Sequence, residues 1–285
     1  MKKLRKGGIV ASVLALIALP ALAEITSVKT MNEVQTKIED ILKTQKAKDV
    51  LVAFDIDMTL TQPNHPAVYY PAIKKYVDVY KKILGELTPE QKDLAATLTT
   101  QIVPQKLVEE ETPQIIKALE QQGIKVIALT SSLAGHIKGY KDQVIVLRKD
   151  QLNKMNLDFS NSFKDFINVA TFSEFRKYAG GYPMFYDGIL SANGESNISK
   201  GEALNTLLDH ISKVGKSSYH PKVVVMIDDK KKHLEDVEKH LKSLDPSIQF
   251  VGIEYEGAYT YAPQDISKED FQKFWQDLAN QAKSK

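Results

Sequence analysis

The segment VLVAFDIDMTLT, residues 50–61, runs a mostly apolar stretch into two aspartates one residue apart. Carboxylates at the end of a buried strand are costly unless something pairs with them. Asp55 and Asp57 therefore either cap the next element or hold a cation and do chemistry. Three more polar signals sit at the ends of elements: Thr130-Ser131-Ser132 after KVIAL, Asp228-Asp229 after KVVVMI, and Lys200 opening SKGEALNTLLDHISK. In open α/β sheets, sites form outside the carboxyl ends of the strands. If the three apolar runs are neighbouring strands, all four signals meet in one polar pocket.

The chemistry of such a pocket is specific. Four aspartates close together raise one another's pKa values unless a cation sits among them. The chain has no cysteine, and the candidate ligands, all aspartates, offer only oxygen. That set suits a hard cation such as Mg²⁺, which takes one or two carboxylates, waters and a substrate phosphate. Asp55 would then attack phosphorus to give an aspartyl-phosphate. Asp57 would protonate the leaving oxygen and later deprotonate water. Thr130 would bond the phosphoryl oxygens, and Lys200 would neutralise charge on nucleophile and transferring group. Each residue also has a plainer reading. Asp228-Asp229 can cap the following helix, Thr130 can be a strand-end hydroxyl, and Lys200 can be a surface lysine with Lys216 and Lys230-Lys231-Lys232 as competitors. Among the six histidines none forms an obvious metal pair; His65 is not expected in the pocket. Tyr255, Tyr259 and Tyr261 can line a substrate wall, but aromatic residues in such a loop are more often packing.

The elements that must position these groups alternate in type. Met31, Val34, Ile38, Ile41 and Leu42 have helical spacing. Residues 50–57 and KVIALTSS read as buried strands. Between them, residues 62–111 carry helical patterns, AIKKYVDVYKKIL and, after Thr88-Pro89, EQKDLAATLTTQIV. Thr112-Pro113 marks a helix start. QVIVLR, 143–148, reads as a strand, and YDGILSANGES as a strand or hairpin ending in an Asn193-Gly194 turn. KVVVMIDD and QFVGIEY are further strands, each followed by a helical pattern. Strands alternating with helices predict an α/β fold, a parallel sheet with helices on both faces.

FDIDMTLT resembles the first motif of the haloacid dehalogenase superfamily phosphatases, an apolar strand followed by D-x-D-x-T or V. ALTSS is similar to the second motif, Lys200 in SKGEAL to the third, and MIDDKKKHLEDV to the acidic fourth. The order is right, and the resemblance covers roughly residues 48–255. More narrowly, the chain looks like a poorly characterised secreted bacterial branch. The resemblance implies a Rossmann-like core, Asp55 as nucleophile, Asp57 as general acid/base, and Thr130 and Lys200 on the phosphate. It places Mg²⁺ on Asp55, Asp57, Asp228 and Asp229. A small helical cap that selects the substrate falls at about 62–111. Two departures stand out: Met58 occupies a position where many members have glycine, and no arginine follows Thr130 closely.

Composition is that of an ordinary globular protein, 43% hydrophobic and 26% charged over 285 residues. Residues 1–23 read as a signal peptide: a basic front with Lys2, Lys3, Arg5 and Lys6, a short apolar run, then Ala21-Leu22-Ala23. Its removal takes the formal charge from +2 to −2, so the charge gives no argument for nucleic acid. Only Arg148 and Arg176 remain as arginines. The expectation is an exported, periplasmic or secreted Mg²⁺-dependent phosphatase acting on a small phosphomonoester, without a membrane span. Its rivals are a phosphotransferase to an alcohol, and a non-catalytic ligand- or partner-binding protein on the same fold.

Overall fold

In the computed structural model, residues 24–213, 219–260 and 265–285 are described. The expected signal peptide, Lys216 and Tyr261 lie outside them. The chain is α/β, with a mainly parallel eight-stranded sheet flanked by helices. Its strands are β1 (Glu24–Val28), β2 (Val50–Phe54), β5 (Lys125–Thr130), β6 (Val169–Thr171), β7 (Met184–Tyr186), β8 (Ile189–Ser191), β9 (Val223–Asp228) and β10 (Gln249–Tyr255). They lie in the order β1-β10-β9-β2-β5-β8-β7-β6; β3 (Thr61–Pro63) and β4 (Gln105–Leu107) pair separately and antiparallel. The strands from β1 to β8 in this order are parallel, and β7 and β6 continue antiparallel.

Every residue of β2 and β9 is buried, which is why these strands are continuously apolar rather than alternating. Val50, Val52 and Phe54 pack on one side of the sheet with α1 (Met31–Leu42) and α5 (Thr112–Gln121). Leu51 and Ala53 pack on the other with α7 (Lys200–Lys213) and α8 (Lys231–Leu244). Local signals agree with these elements. Thr30 and Glu33 form a capping box at the start of α1.

Between β2 and α5 lie α2 (Tyr70–Lys75), α3 (Val77–Gly85) and α4 (Pro89–Ile102). Thr88 and Gln91 cap α4, with Pro89 at its first position. The C-terminal helix α9 (Lys268–Ser284) packs against this insertion, and its Phe271, Trp275 and Leu278 join Leu94 and Leu98 in a third apolar cluster. The Trp275 indole N–H donates to the Ala67 carbonyl at 2.9 Å. No helix among the described residues is long and apolar enough to cross a membrane.

Two local expectations are corrected. QVIVLR is not a strand but the start of α6 (Val144–Asn153). Val144, Arg148 and Leu152 are buried at a spacing of four, a helical stripe that continues beyond the β-branched run. The hairpin turn is Asp187-Gly188, with φ of 45° and 85°, the left-handed pair a two-residue turn requires. Asn193-Gly194 forms the next turn, where the Asn193 side chain accepts from Ala134 N and donates to Tyr178 O, both at 2.8 Å.

Candidate functional site

Chain direction across the sheet reverses at β2: its successor β5 lies on one side, β9 on the other. That is where a crevice opens outside the strand ends. Asp55 N donates to Ile227 O at 2.8 Å, the last rung between β2 and β9. The chain then turns sharply, with Leu60 N and Thr61 N both donating to Ile56 O at 3.0 and 2.9 Å. Met58 sits in this turn with φ of 67°. The backbone at Met58 is thus left-handed, at a cost of roughly 1–2 kcal/mol for a side chain. Met58→Gly is expected to stabilise the fold by about 0.5 kcal/mol, since glycine's own entropic cost offsets part of the relief. A urea midpoint below that of the wild type would show that Met58's packing outweighs its strain.

The turn presents both carboxylates to one cavity of about 320 Å³, which Thr130, Lys200 and Lys230 also line. Lys200, buried at the head of α7, places its ammonium 2.6 Å from Asp55 Oδ1 and 2.6 Å from Asp228 Oδ2. Asp228 also accepts Lys230 N at 2.9 Å and faces His233 Nδ1 at 3.0 Å. Lys230 is the N-cap residue of α8, so Asp228 braces the turn before the helix without being its cap. Asp229 accepts from the Tyr259 hydroxyl, while its Oδ1 is buried with no hydrogen-bond partner.

Electrostatics separate these acids. Burial, then the neighbouring Asp228, push Asp55 up to about 7 against the pull of Lys200. Burial also opposes ionisation of Asp228, but Lys200 and His233 outweigh it and hold its pKa below the ordinary value. Burial and the Asp228 charge raise Asp229. For Lys200 burial works against the charged form, yet the carboxylates of Asp228 and Asp55 hold it above the usual lysine value.

Asp55, Asp228 and Asp229 each offer an oxygen, all within 4.8 Å of one another. The Lys200 ammonium bridges two of these three buried carboxylates, Asp55 and Asp228, and one Asp229 oxygen has no partner. This all-oxygen set, with a residual negative charge, fits a hard divalent cation such as Mg²⁺.

Asp57, expected among the ligands, stands outside that cluster. Its carboxylate lies 3.1 Å from the guanidinium of Arg148 and accepts the Ser132 hydroxyl at 3.1 Å. Thr130, expected on the phosphate, donates its hydroxyl to Ser132 Oγ at 3.2 Å and accepts Ser132 N at 3.0 Å. Arg148 is only 1% exposed and also donates to Gln151 Oε1 at 3.1 Å. No arginine follows Thr130 closely in sequence, yet α6 delivers one to the second aspartate. Replacing Arg148 by leucine is expected to cost about 2 kcal/mol, below the full value for breaking a buried pair because Asp57 is 35% exposed and water takes over part of its solvation. Equal urea midpoints for variant and wild type would mean that the pair contributes nothing to stability.

The sequence reading did not single out four contributors. Tyr259, read as packing, bonds Asp229; Arg148 pairs with Asp57; His233 touches Asp228; Glu195 lines the cavity 3.9 Å from Lys230 and 3.6 Å from His233. His233 had one usable signal, since it lies one helical turn beyond Asp228-Asp229. His65 is outside the cavity, stacked on Phe274 at 4.6 Å. Lys231 is solvated, whereas Lys232 pairs with Glu195.

Comparison with known proteins gives a consistent picture. A family profile described as "Protein of unknown function (DUF2608)" matches residues 27–284. An uncharacterized protein of Rickettsia conorii is 26% identical over 269 residues, covering 93% of this chain and 87% of its own. Uncharacterized proteins of Rickettsia felis and Rickettsia bellii are 27% and 25% identical, each over 91% of this chain and 85% of their own.

Proposed function

We propose that this chain, which belongs to the DUF2608 family, is a Mg²⁺-dependent phosphatase of the haloacid dehalogenase type that cleaves a phosphomonoester through Asp55. The observation that carries the reading is the buried Lys200 ammonium held 2.6 Å from both Asp55 and Asp228. A lysine so placed keeps a strand-end carboxylate positioned and offsets negative charge as a phosphoryl group arrives. The insertion of α2, α3 and α4 then serves as the cap, and residues 1–23 as the export signal.

In this mechanism an Asp55 oxygen forms a bond to phosphorus as the ester P–O bond breaks, and Asp57 gives its proton to the departing alkoxide. Water then attacks the aspartyl-phosphate, its proton passes to Asp57, and the bond between phosphorus and Asp55 breaks to free phosphate. Ser132 and Arg148 hold Asp57 in orientation, and Thr130 holds Ser132. Asp55, Asp228 and Asp229 would hold Mg²⁺, which when bound would supply positive charge beside the phosphoryl group.

The test is phosphate release from p-nitrophenyl phosphate in MgCl2 and in EDTA. Release is expected only with Mg²⁺. The Mg²⁺ concentration for half-maximal release is expected to fall as pH rises from 5 to about 7.5, because the raised Asp55 carboxyl must lose its proton to bind the cation. Metal-independent release, or none from a panel of phosphomonoesters, sinks the proposal.

A further inference from the structure

The cavity has two unlike halves. Its floor is polar, formed by Asp55, Asp57, Thr130, Lys200 and Lys230. Its upper wall comes from the insertion and α9, and Val68, Ile73, Leu84, Tyr80 and Trp275 dominate it. Tyr80 and Trp275 meet edge to face, with ring centroids 4.7 Å apart.

Polar side chains also reach this wall, and apart from the Tyr80 hydroxyl and the Lys92 ammonium at its edge the protein has already engaged most of them. Thr99 and Thr100 donate to Ala96 O at 2.6 Å and Thr97 O at 2.8 Å. Thr97 Oγ1 takes the Leu133 N–H at 3.3 Å. Asp93 accepts the Tyr178 hydroxyl at 2.9 Å and Ser196 N at 3.1 Å. The Trp275 N–H is held by Ala67 O. A sugar or nucleobase entering here would give up water at several hydroxyl or amide groups and find few partners in return. An apolar body would instead bury its surface against matching side chains.

Resting on the phosphatase reading, we propose that the substrate is a small phosphomonoester whose alcohol part is aromatic or aliphatic, with few hydroxyls. The anionic end seats over Asp55 and Lys200, and the apolar body lies against Ile73, Leu84, Tyr80 and Trp275. Selectivity comes from the insertion and α9 together.

Binding tests this without turnover, because the C–P bond of a phosphonate is not a phosphatase target. Calorimetric titration of the protein in MgCl2 with phenylphosphonate, methylphosphonate and 2,3-dihydroxypropylphosphonate is the measurement. Phenylphosphonate is expected to bind at least about tenfold more tightly than the other two, in line with the selectivity of apolar pockets. Ile73→Gln, outside the reacting centre, is expected to reduce that ratio to below about threefold. Equal affinities for phenyl and methyl compounds overturn the substrate class and leave phosphate release untouched. Selective aryl binding without release from any phosphomonoester overturns the phosphatase reading and retains only the cavity's ligand class. If Ile73→Gln fails to fold, the wild-type ratio still decides.

Discussion

Replacing Asp55 by asparagine is expected to lower phosphate release by at least about 1000-fold, the scale on which loss of a catalytic nucleophile acts. The same change should leave the fold as stable as the wild type, or more so. The amide keeps the shape of the carboxyl and stays neutral at every pH. Asp55 itself binds its proton more tightly in the folded chain than in the unfolded one, with a pKa raised to about 7. Stability contributed by that group therefore falls as pH rises from about 4 through 7. Above that range in EDTA, the asparagine variant escapes the cost of an ionised buried carboxyl. Urea midpoints at pH 8, measured beside phosphate release, separate a lost nucleophile from a damaged fold. Release retained within tenfold would remove Asp55 from the reaction.

Lys200→Met should act mainly on stability. The ammonium stands between Asp55 and Asp228 with almost no exposure, and removing one member of a buried ion pair costs about 3–5 kcal/mol. At roughly 2–4 °C per kcal/mol for a chain of this size, a 3 kcal/mol loss lowers the melting temperature by about 6–12 °C in EDTA. MgCl2 should recover part of that loss, since a cation on the three carboxylates replaces the missing charge. A larger Mg²⁺-induced shift in the variant than in the wild type is the expected signature. A variant that melts with the wild type in EDTA would mean that protons already neutralise these acids.

The sheet's centre was legible because β2, β5 and β9 are nearly continuous apolar runs, and burial on both faces leaves no other pattern. Asp55, Asp57, Thr130 and Asp228 were legible for a related reason: each stands where such a run stops. α6 was misread because Val144-Ile145-Val146 favours strand locally, while the stripe that makes it a helix lies further on at Arg148 and Leu152. β1 was missed because its Glu24-Ile25-Thr26-Ser27 is not an apolar run; pairing with β10 defines it. Arg148 and Tyr259 were illegible as site residues for another reason. They come from elements far along the chain from the acids they touch, and periodicity carries no record of which distant element will fold against which.

The seating of α9 has a consequence for the order of assembly. Folding in chain order completes every strand of the main sheet by Tyr255 and brings Asp55, Lys200 and Asp228 together. The contacts of α9, such as the bond from Trp275 to Ala67 across 208 positions, need the last element of the chain. Until they close, Leu94 and Leu98 of α4 face water, and the charged floor exists without a ceiling. A chain cut between β10 and α9 would keep its charged centre and lose its grip on the organic half of any ligand. The last helix to arrive is the one that turns an acid cluster into an enclosed chamber.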